Sequence, residues 1–538
     1  MKKHNISKVV LITILVFLLL SWILPAAYYS GQYVEQGRVQ MGLYELFNYP
    51  LTAISYFGYI ALFIIFVGGF YGILYKIPAY RTFLDKIVRL FAGKEKIFIA
   101  VVSILLAAGV SICGLQIGYA LFIPFIVSLI LLMGYDKIVA AITVVGSMAA
   151  GLAGSTFSST NLNVVTSSLS LDIKYQIGVR FVILIVGIVL VLYNLFFYMK
   201  KNNKEVKIEV KASNVDDTKI SATKTKNATS KKVSTAKKAS TKKTTSSVKK
   251  KTNTKTRKNA NKAALKDDGI IVVKESVLNT NNEEEYLIPS RAESSHSIWP
   301  FAVGFVLLFI LLIIGFISWG EGGFGITLFE DVTKSVSEFE IFKFPIFSKI
   351  YGTMNAFGTW TLVDLFLPVG LLTTLLVIIY KVKIDDIFDG FIEGAKKALG
   401  PAFISILVYT CLVLVTYHPF QLVIYKALLG ISKGFNMVTT IIVFVLSSLF
   451  NGDISYVAQS TIPYYTSVVT NTDFYPLVGI IFQSIYGLTS LFVPTSLILM
   501  ATLSYLNISY KEWLKNIWKL LLELFVILLI IFIILALI

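Results

Sequence analysis

Charge, cysteine and histidine are all scarce in this chain. Charged side chains make up 15% of its 538 residues, with two cysteines and three histidines. Cys113 and Cys411 both lie in apolar segments, so no disulfide framework is implied. His4, His296 and His418 are scattered and lack the spacing of a metal-ligand cluster. No Walker-type phosphate loop or other nucleotide fingerprint occurs, which argues against an ATP-driven pump within this chain.

Apolar side chains are abundant. They form 56% of the sequence, and the mean hydropathy of +0.74 is far above that of a soluble globular chain. Crossing the hydrocarbon takes about 20 apolar residues. Runs of that kind lie near 9–27, 54–75, 97–113, 115–133, 138–153, 176–198, 298–318, 359–380, 401–417, 435–450, 474–493 and 514–538. The expected fold class is an all-α polytopic membrane protein with about twelve transmembrane helices. Lys2, Lys3 and Lys8 ahead of the first run also fit a cleaved signal peptide, but signal h-regions are usually about 7–15 residues, shorter than this run. An uncleaved first span is the better reading.

The net charge of +18 belongs to one segment. Residues 218–266 hold 16 Lys, Arg257 and no acidic residue, which leaves +1 for the rest of the chain. This Lys/Ser/Thr/Ala/Asn stretch has no aromatic residue and cannot bury enough apolar surface to fold. It divides the sequence into a first membrane half (1–201), a disordered Lys-rich insert (202–297) and a second membrane half (298–538). The insert is expected to be a solvated tether that can attract anionic lipid head groups. Without interleaved aromatics to stack on bases, nucleic acid is not an expected partner. Lys and Arg accumulate on the cytoplasmic side, which places the amino terminus, the insert and the connection bearing Lys76, Arg81, Lys86, Arg89, Lys94 and Lys96 inside.

Two stretches place hydroxyl and amide side chains where a span should continue. They are Gly154-Ser-Thr-Phe-Ser-Ser-Thr-Asn161-Leu-Asn163, and Asn451-Gly-Asp-Ile-Ser455 with Gln459-Ser-Thr461. Polar, irregular backbone at membrane depth survives only inside protein or along a hydrophilic cavity, and one break in each half is a mark of secondary transporters. An internal repeat points the same way. Tyr80, Phe83, Leu84, Ile87, Val88 and Phe91 have the spacing of an amphipathic interfacial helix, and so do Ile384, Ile387, Phe388, Phe391, Ile392 and Ala395. Each follows a similar lead-in, Tyr75-Lys76-Ile77 and Tyr380-Lys381-Val382. Inverted repeats would put the two helices on opposite faces of the membrane, yet Lys381, Lys383, Lys396 and Lys397 make both look cytoplasmic.

Several local motifs carry a resemblance. Gly134-Tyr-Asp136, Ser158 to Asn161, Arg180, Phe482-Gln483, Pro494-Thr-Ser496, Leu499-Met-Ala-Thr-Leu503 and Trp513-Leu-Lys515 resemble the YfcC-type branch of the anaerobic dicarboxylate carrier family, within the ion transporter superfamily. The likeness covers nearly the whole chain except the basic insert. It implies a secondary carrier for dicarboxylates or amino acids, with a scaffold holding a mobile transport domain whose hairpins and broken helices bind substrate and often sodium. The sequence departs from the pattern at Gly114-Leu-Gln116, at Leu162, and at Tyr486 and Ser490, where relatives often carry acidic residues, Pro, Asp or His. Substrate or coupling ion is therefore open.

Residue chemistry gives a candidate site. Hydroxyls and amides offer donors and acceptors, and helix ends at a break present N–H groups to an anion and carbonyls to a cation. The candidates are Ser158, Ser159, Thr160, Asn161, Asn163, Asn451, Asp453, Ser455, Gln459, Ser460, Thr461, Thr495 and Ser496, with Gln116 and Gln483 secondary. Asp453, the acidic residue inside a polar break, can ligate a cation, carry a proton or pair with a substrate ammonium; the alternative is that it caps a helix end. For Asp364 an interfacial position is the simpler reading. Neutral oxygens with few charges suit sodium better than a divalent metal, and protons come second. The expected function is an ion-coupled symporter or exchanger in the cytoplasmic membrane, not an enzyme, with no cofactor or resident metal. Its expected partners are a small carboxylate or amino acid, the coupling ion, lipid and a second copy in a homodimer. The rival readings are a non-transporting scaffold that recruits partners through its basic loop, and a channel.

Overall fold

The computed structural model describes residues 5–114, 116–202, 207–208, 271–272, 284–290, 296–320, 323–342, 344–352, 355–432 and 434–537. They belong to two compact units, Met1–Asn203 with Ser276–Ile538, and Lys204–Glu275. Described in the smaller unit is a two-residue antiparallel ladder pairing Lys207 with Val272 and Ile208 with Ile271. The rest of the Lys-rich insert lies outside the described residues. Residues 284–290, expected to be part of that tether, instead pack into the larger unit, where Tyr286, Leu287 and Ile288 are buried.

Helices dominate because only a helix satisfies every backbone group within one apolar segment. Among the described residues eight helices are long and apolar enough to cross a membrane. They are α1 (Asn5–Ile23), α2 (Leu43–Tyr75), α4 (Glu95–Cys113), α8 (Ile177–Asn202), α9 (Trp299–Phe316), α12 (Phe366–Ile379, extended by the 3-10 turn Leu362–Leu365), α13 (Ile384–Tyr417) and α19 (Tyr510–Leu537). The other expected crossings are built from shorter helices: α5 (Gln116–Leu132), α6 (Lys137–Ala153), α7 (Ser159–Leu169), α15 (Met437–Phe450), α16 (Ile454–Val468), α17 (Tyr475–Thr489) and α18 (Leu497–Tyr505). Short helices also lie between these, among them α3 (Pro78–Leu90), α10 (Leu328–Glu338) and α14 (Gln421–Leu429), and β1 (Ala27–Tyr29) pairs with β2 (Tyr33–Glu35).

The longest seam joins α2 and α13, antiparallel. At one end Tyr49 Oη lies 2.7 Å from His418 Nε2; Phe57 stacks on Tyr409 at 4.2 Å; at the other end Lys76 Nζ meets Glu393 Oε2 at 2.9 Å. Between them Gly68 and Gly72 face Gly390 and Gly394, and a Cβ on Gly72 would overlap the Gly390 carbonyl. Two four-residue glycine spacings thus bring backbone onto backbone, as small residues do where membrane helices cross closely. This overturns one expectation. The spacing from Ile384 to Ala395, read as an interfacial helix like α3, begins a single helix of 34 residues. Its small residues are the reason: Gly390, Gly394 and Ala398 are buried on one face, and that packing continues the helix into the membrane.

With α13 reassigned, the two halves match in order and in reverse orientation. The first runs α2, α3, a hairpin of α4 and α5, a broken helix α6/α7, then α8. The second runs α13, α14, a hairpin of α15 and α16, a broken helix α17/α18, then α19. The first hairpin opens at the end of the molecule that carries Lys76, Arg81 and Lys200, here the basic end; Asp136 beyond α5 accepts from Tyr198 Oη near the foot of α8 at 2.8 Å. The second opens at the opposite end, where Phe435 stacks on Phe474 at 4.4 Å and Tyr464 meets Tyr29 of the β-hairpin. The counterpart of α3 is α14, at the opposite end, where Lys426 sits 4.0 Å over the Tyr33 ring. The repeats are inverted, and the apparent conflict over two interfacial helices on one face disappears.

If the glycine crossing holds the halves together, Gly72→Ile should lower stability by at least about 1–3 kcal/mol, the usual cost of overpacking. Gly370, where an added Cβ would meet nothing within 4 Å, should tolerate Ala. Thermal unfolding of the two purified variants in one detergent checks both; equal melting temperatures would refute the assignment.

Candidate functional site

Each re-entrant hairpin turns at a glycine, and each turn packs against the break in the next helix. Gly114, at φ 72°, sits where a Cβ would overlap Ser158 Oγ; a Cβ on Gly452 would overlap the Thr495 carbonyl. These two joints face each other, since Ser455 Oγ at the start of α16 donates to the Thr160 carbonyl at the start of α7 at 3.4 Å.

The helix ends freed at the first joint are tied by side chains. Ser158 Oγ caps α7 by accepting from Asn161 N at 3.1 Å, and Asn161 Nδ2 donates to Ser155 Oγ at 3.2 Å. The carbonyls released by α6 are taken up in turn: Ala153 by Gln483 Nε2 at 3.3 Å and Ser484 Oγ at 3.1 Å, Gly154 by Ser111 Oγ at 2.8 Å, Ser155 and Thr156 by Arg180 Nη1 at 3.3 and 2.9 Å. Arg180 is fully buried, with its guanidinium 4.4 Å from the Tyr175 ring centroid. A cation at a helix C-terminus is electrostatically favoured.

The second joint is organised around Asp453. Asn451 Oδ1 accepts from Asp453 N at 3.0 Å, and Asp453 Oδ1 accepts from Ser455 N at 3.0 Å and Tyr456 N at 3.3 Å, capping α16. Thr495 Oγ1 donates to the Ser448 carbonyl at 3.0 Å, and Tyr486 Oη to the Gly452 carbonyl at 2.6 Å. Besides capping α16, Asp453 is among the residues that line a cavity of about 610 Å³ between the joints.

The polar wall of this cavity is Gln116, Thr160, Asn161, Thr361, Asp453, Ser455 and Ser496; Tyr59, Tyr409, Tyr486, Trp360 and Phe316 form its aromatic wall. No Lys, Arg or His is among the described residues that line it. Three helices begin on it, α7, α16 and α18, so the positive ends of their dipoles converge there.

Of the residues expected from sequence, Thr160, Asn161, Asp453, Ser455, Ser496 and Gln116 meet at the cavity. Ser158, Asn451 and Thr495 stand one step back and hold the joints. Gln483 is wholly buried among the α6 carbonyls. Asn163 and Gln459 are exposed and do not line the cavity, Ser460 Oγ bonds back to the Val457 carbonyl at 3.2 Å, and Thr461 Oγ1 ties α16 to Ser447 of α15 at 3.0 Å. These last three belong to the continuous helix α16, so the stretch from Gln459 to Thr461 is not a break; the break that mirrors 154–158 is 490–496. Ser159 opens α7, and its side chain lies outside the described residues. Asp364 caps its own 3-10 turn, accepting from Thr361 N at 2.7 Å. Of the aromatic wall only Tyr486 is marked in the sequence, as a departure from the family pattern; a tyrosine inside an apolar span otherwise has no local mark that separates cavity from core.

Gly452→Ala tests the second joint, where overpacking should cost about 1–3 kcal/mol. Ligand-induced thermal stabilisation should shrink or vanish while the variant still inserts and purifies as wild type. Undiminished stabilisation would separate this joint from the site.

A family model described as the C4-dicarboxylate anaerobic carrier matches residues 5–246 and 270–537. An uncharacterized protein of Haemophilus influenzae is 27% identical over 142 residues, 26% of this chain; the chain thus spans 28% of the length of that relative. The crystal structure of the YdaH transporter of Alcanivorax borkumensis aligns over 97% of both chains with a TM-score of 0.39 and 12% identity, too distant a likeness to carry fold or function across. The chain is a multi-pass membrane protein, and by its match over nearly the whole length it belongs to the C4-dicarboxylate anaerobic carrier family.

Proposed function

We propose that this protein is a secondary active transporter whose substrate is a small amino acid, bound in the cavity between the two joints. The observation that supports this most is the charge of the cavity lining: one carboxylate, Asp453, and no basic side chain among the described residues. The converging starts of α7, α16 and α18 suit a substrate carboxylate. Asp453 and the aromatic wall suit a substrate ammonium, through a charge-assisted hydrogen bond and cation–π attraction. The second carboxylate of a dicarboxylate would instead face Asp453 with no basic lining residue to offset it. The basic end is cytoplasmic by its Lys and Arg content.

Asp453→Asn is the decisive variant, because Asn keeps the helix cap and removes the charge. A hydrogen bond to a charged group contributes about 1.5–3 kcal/mol, so substrate affinity should fall roughly 10- to 100-fold with the fold intact. Thermal-shift screening of amino acids and dicarboxylates, followed by proteoliposome uptake, provides the readout. Binding of dicarboxylates alone, unchanged in Asp453→Asn, would overturn the amino-acid reading.

Sodium is the proposed driving ion, since the joints offer many neutral oxygens and one carboxylate. Reciprocal linkage then requires each ligand to tighten the other by the same factor. Substrate affinity should rise when sodium replaces choline at constant ionic strength and pH. Dependence on pH alone would replace sodium by protons acting through Asp453; a requirement for internal counter-substrate would make the protein an exchanger.

A further inference from the structure

Beneath the main cavity, toward the basic end, lies a second, apolar one of about 60 Å³. Ile117 and Ile498 line both, so these two side chains are the partition between them. The lower cavity is lined by Tyr71 of α2, Ala398 of α13 and Ala120 of α5, and on the basic side by Lys397 and Leu287. Leu287 belongs to residues 284–290, which follow the Lys-rich stretch 218–266 in sequence.

That segment is fastened to both sets of elements around the partition. On the α2/α13 side, Arg81 Nη1 donates to the Pro289 carbonyl at 3.0 Å and Lys397 Nζ to the Glu284 carbonyl. On the side of the hairpin and broken helices, Asn507 Nδ2 donates to Glu285 at 2.6 Å and Tyr286 Oη to the Leu506 carbonyl at 3.4 Å. Lys137 Nζ lies 3.9 Å from Glu285 and 5.2 Å over the Tyr286 ring. Tyr286, Leu287 and Ile288 are 2%, 5% and 1% exposed, a burial that surface tethers do not have. The main cavity reaches exposed Thr361 at the opposite end.

We propose that residues 284–290 are a latch: they seal the basic-end route to the main cavity and hold the protein in the state open at the opposite end, so the route opens when they leave. The latch rests on the transporter reading above, in which the partition between the cavities must open once per cycle. Its strength is the sum of an apolar plug and several polar ties of unlike kinds. Release therefore requires the plug and the ties to give way together. Because the segment is continuous with the insert, a load on the insert acts on the latch through the chain.

The test is accessibility in the full-length chain. Ala120→Cys, in a Cys113→Ser, Cys411→Ser background, places one thiol in the lower cavity. Its labelling by a membrane-impermeant maleimide should be slow with the native segment. It should become roughly tenfold faster in Leu287→Asp, and faster again with Tyr286→Ala added, as the open population grows. Asn507→Ala with Lys137→Gln, which loosen the ties and leave the plug, should give a smaller rise and keep a testable protein if Leu287→Asp fails to fold. Fast labelling with the native segment, or no rise in either variant, would overturn the latch. Amino-acid binding measured on the same samples judges the transporter reading separately: binding with unchanged labelling rejects only the latch, and labelling that rises without binding of any substrate rejects only that reading.

Discussion

Four helices stop in the protein interior, at Cys113, Ala153, Phe450 and Thr489, each followed by a polar turn or break. Each stop releases backbone groups that need partners in protein or along the hydrophilic cavity. The arrangement of the rest answers that constraint. Arg180, Gln483, Ser484 and Ser111 bind the carbonyls at the end of α6, and Thr495 and Tyr486 bind those at the second hairpin tip. The hydroxyl and amide side chains are dense at the breaks because the backbone there demands partners. Only a minority of them remain to face the cavity.

This division explains how much the sequence disclosed. Breaks in apolar spans are visible because polar residues are costly at that depth, so both polar stretches were legible, and so was the carrier-like pattern. What periodicity could not do was separate an interfacial helix from the first turns of a long span. Ile384 to Ala395 has an amphipathic spacing, yet Gly390 and Gly394 turn that segment into a packing face. Nor could it separate capping hydroxyls from cavity-lining ones: Ser158 and Ser496 both begin helices, but Ser496 alone of the two lines the cavity. Tertiary partners decide these cases, and they lie far away in the chain.

The two joints also differ in character despite their shared topology. At the first, a guanidinium is buried against the helix carbonyls; at the second, a carboxylate caps the helix that starts there. Inverting a repeat exchanges which end of a helix faces the middle of the membrane, but it does not require both copies to use the same charge. Here the titratable group next to the cavity is acidic, and the basic one is sealed behind Tyr175 and Gln483.

The glycine seam between α2 and α13 also governs how the molecule can be made. Its ion pair joins Lys76 to Glu393 across 317 positions. At about 5–20 residues per second of synthesis, that separation is on the order of tens of seconds. Throughout that interval α2 is inserted while the surface complementary to Gly68 and Gly72 does not yet exist. The first half must wait in the bilayer with a shallow, unfilled stripe of bare backbone along its longest helix. Its biogenesis thus depends on lipid, or on the insertion machinery, covering that stripe until the second half arrives.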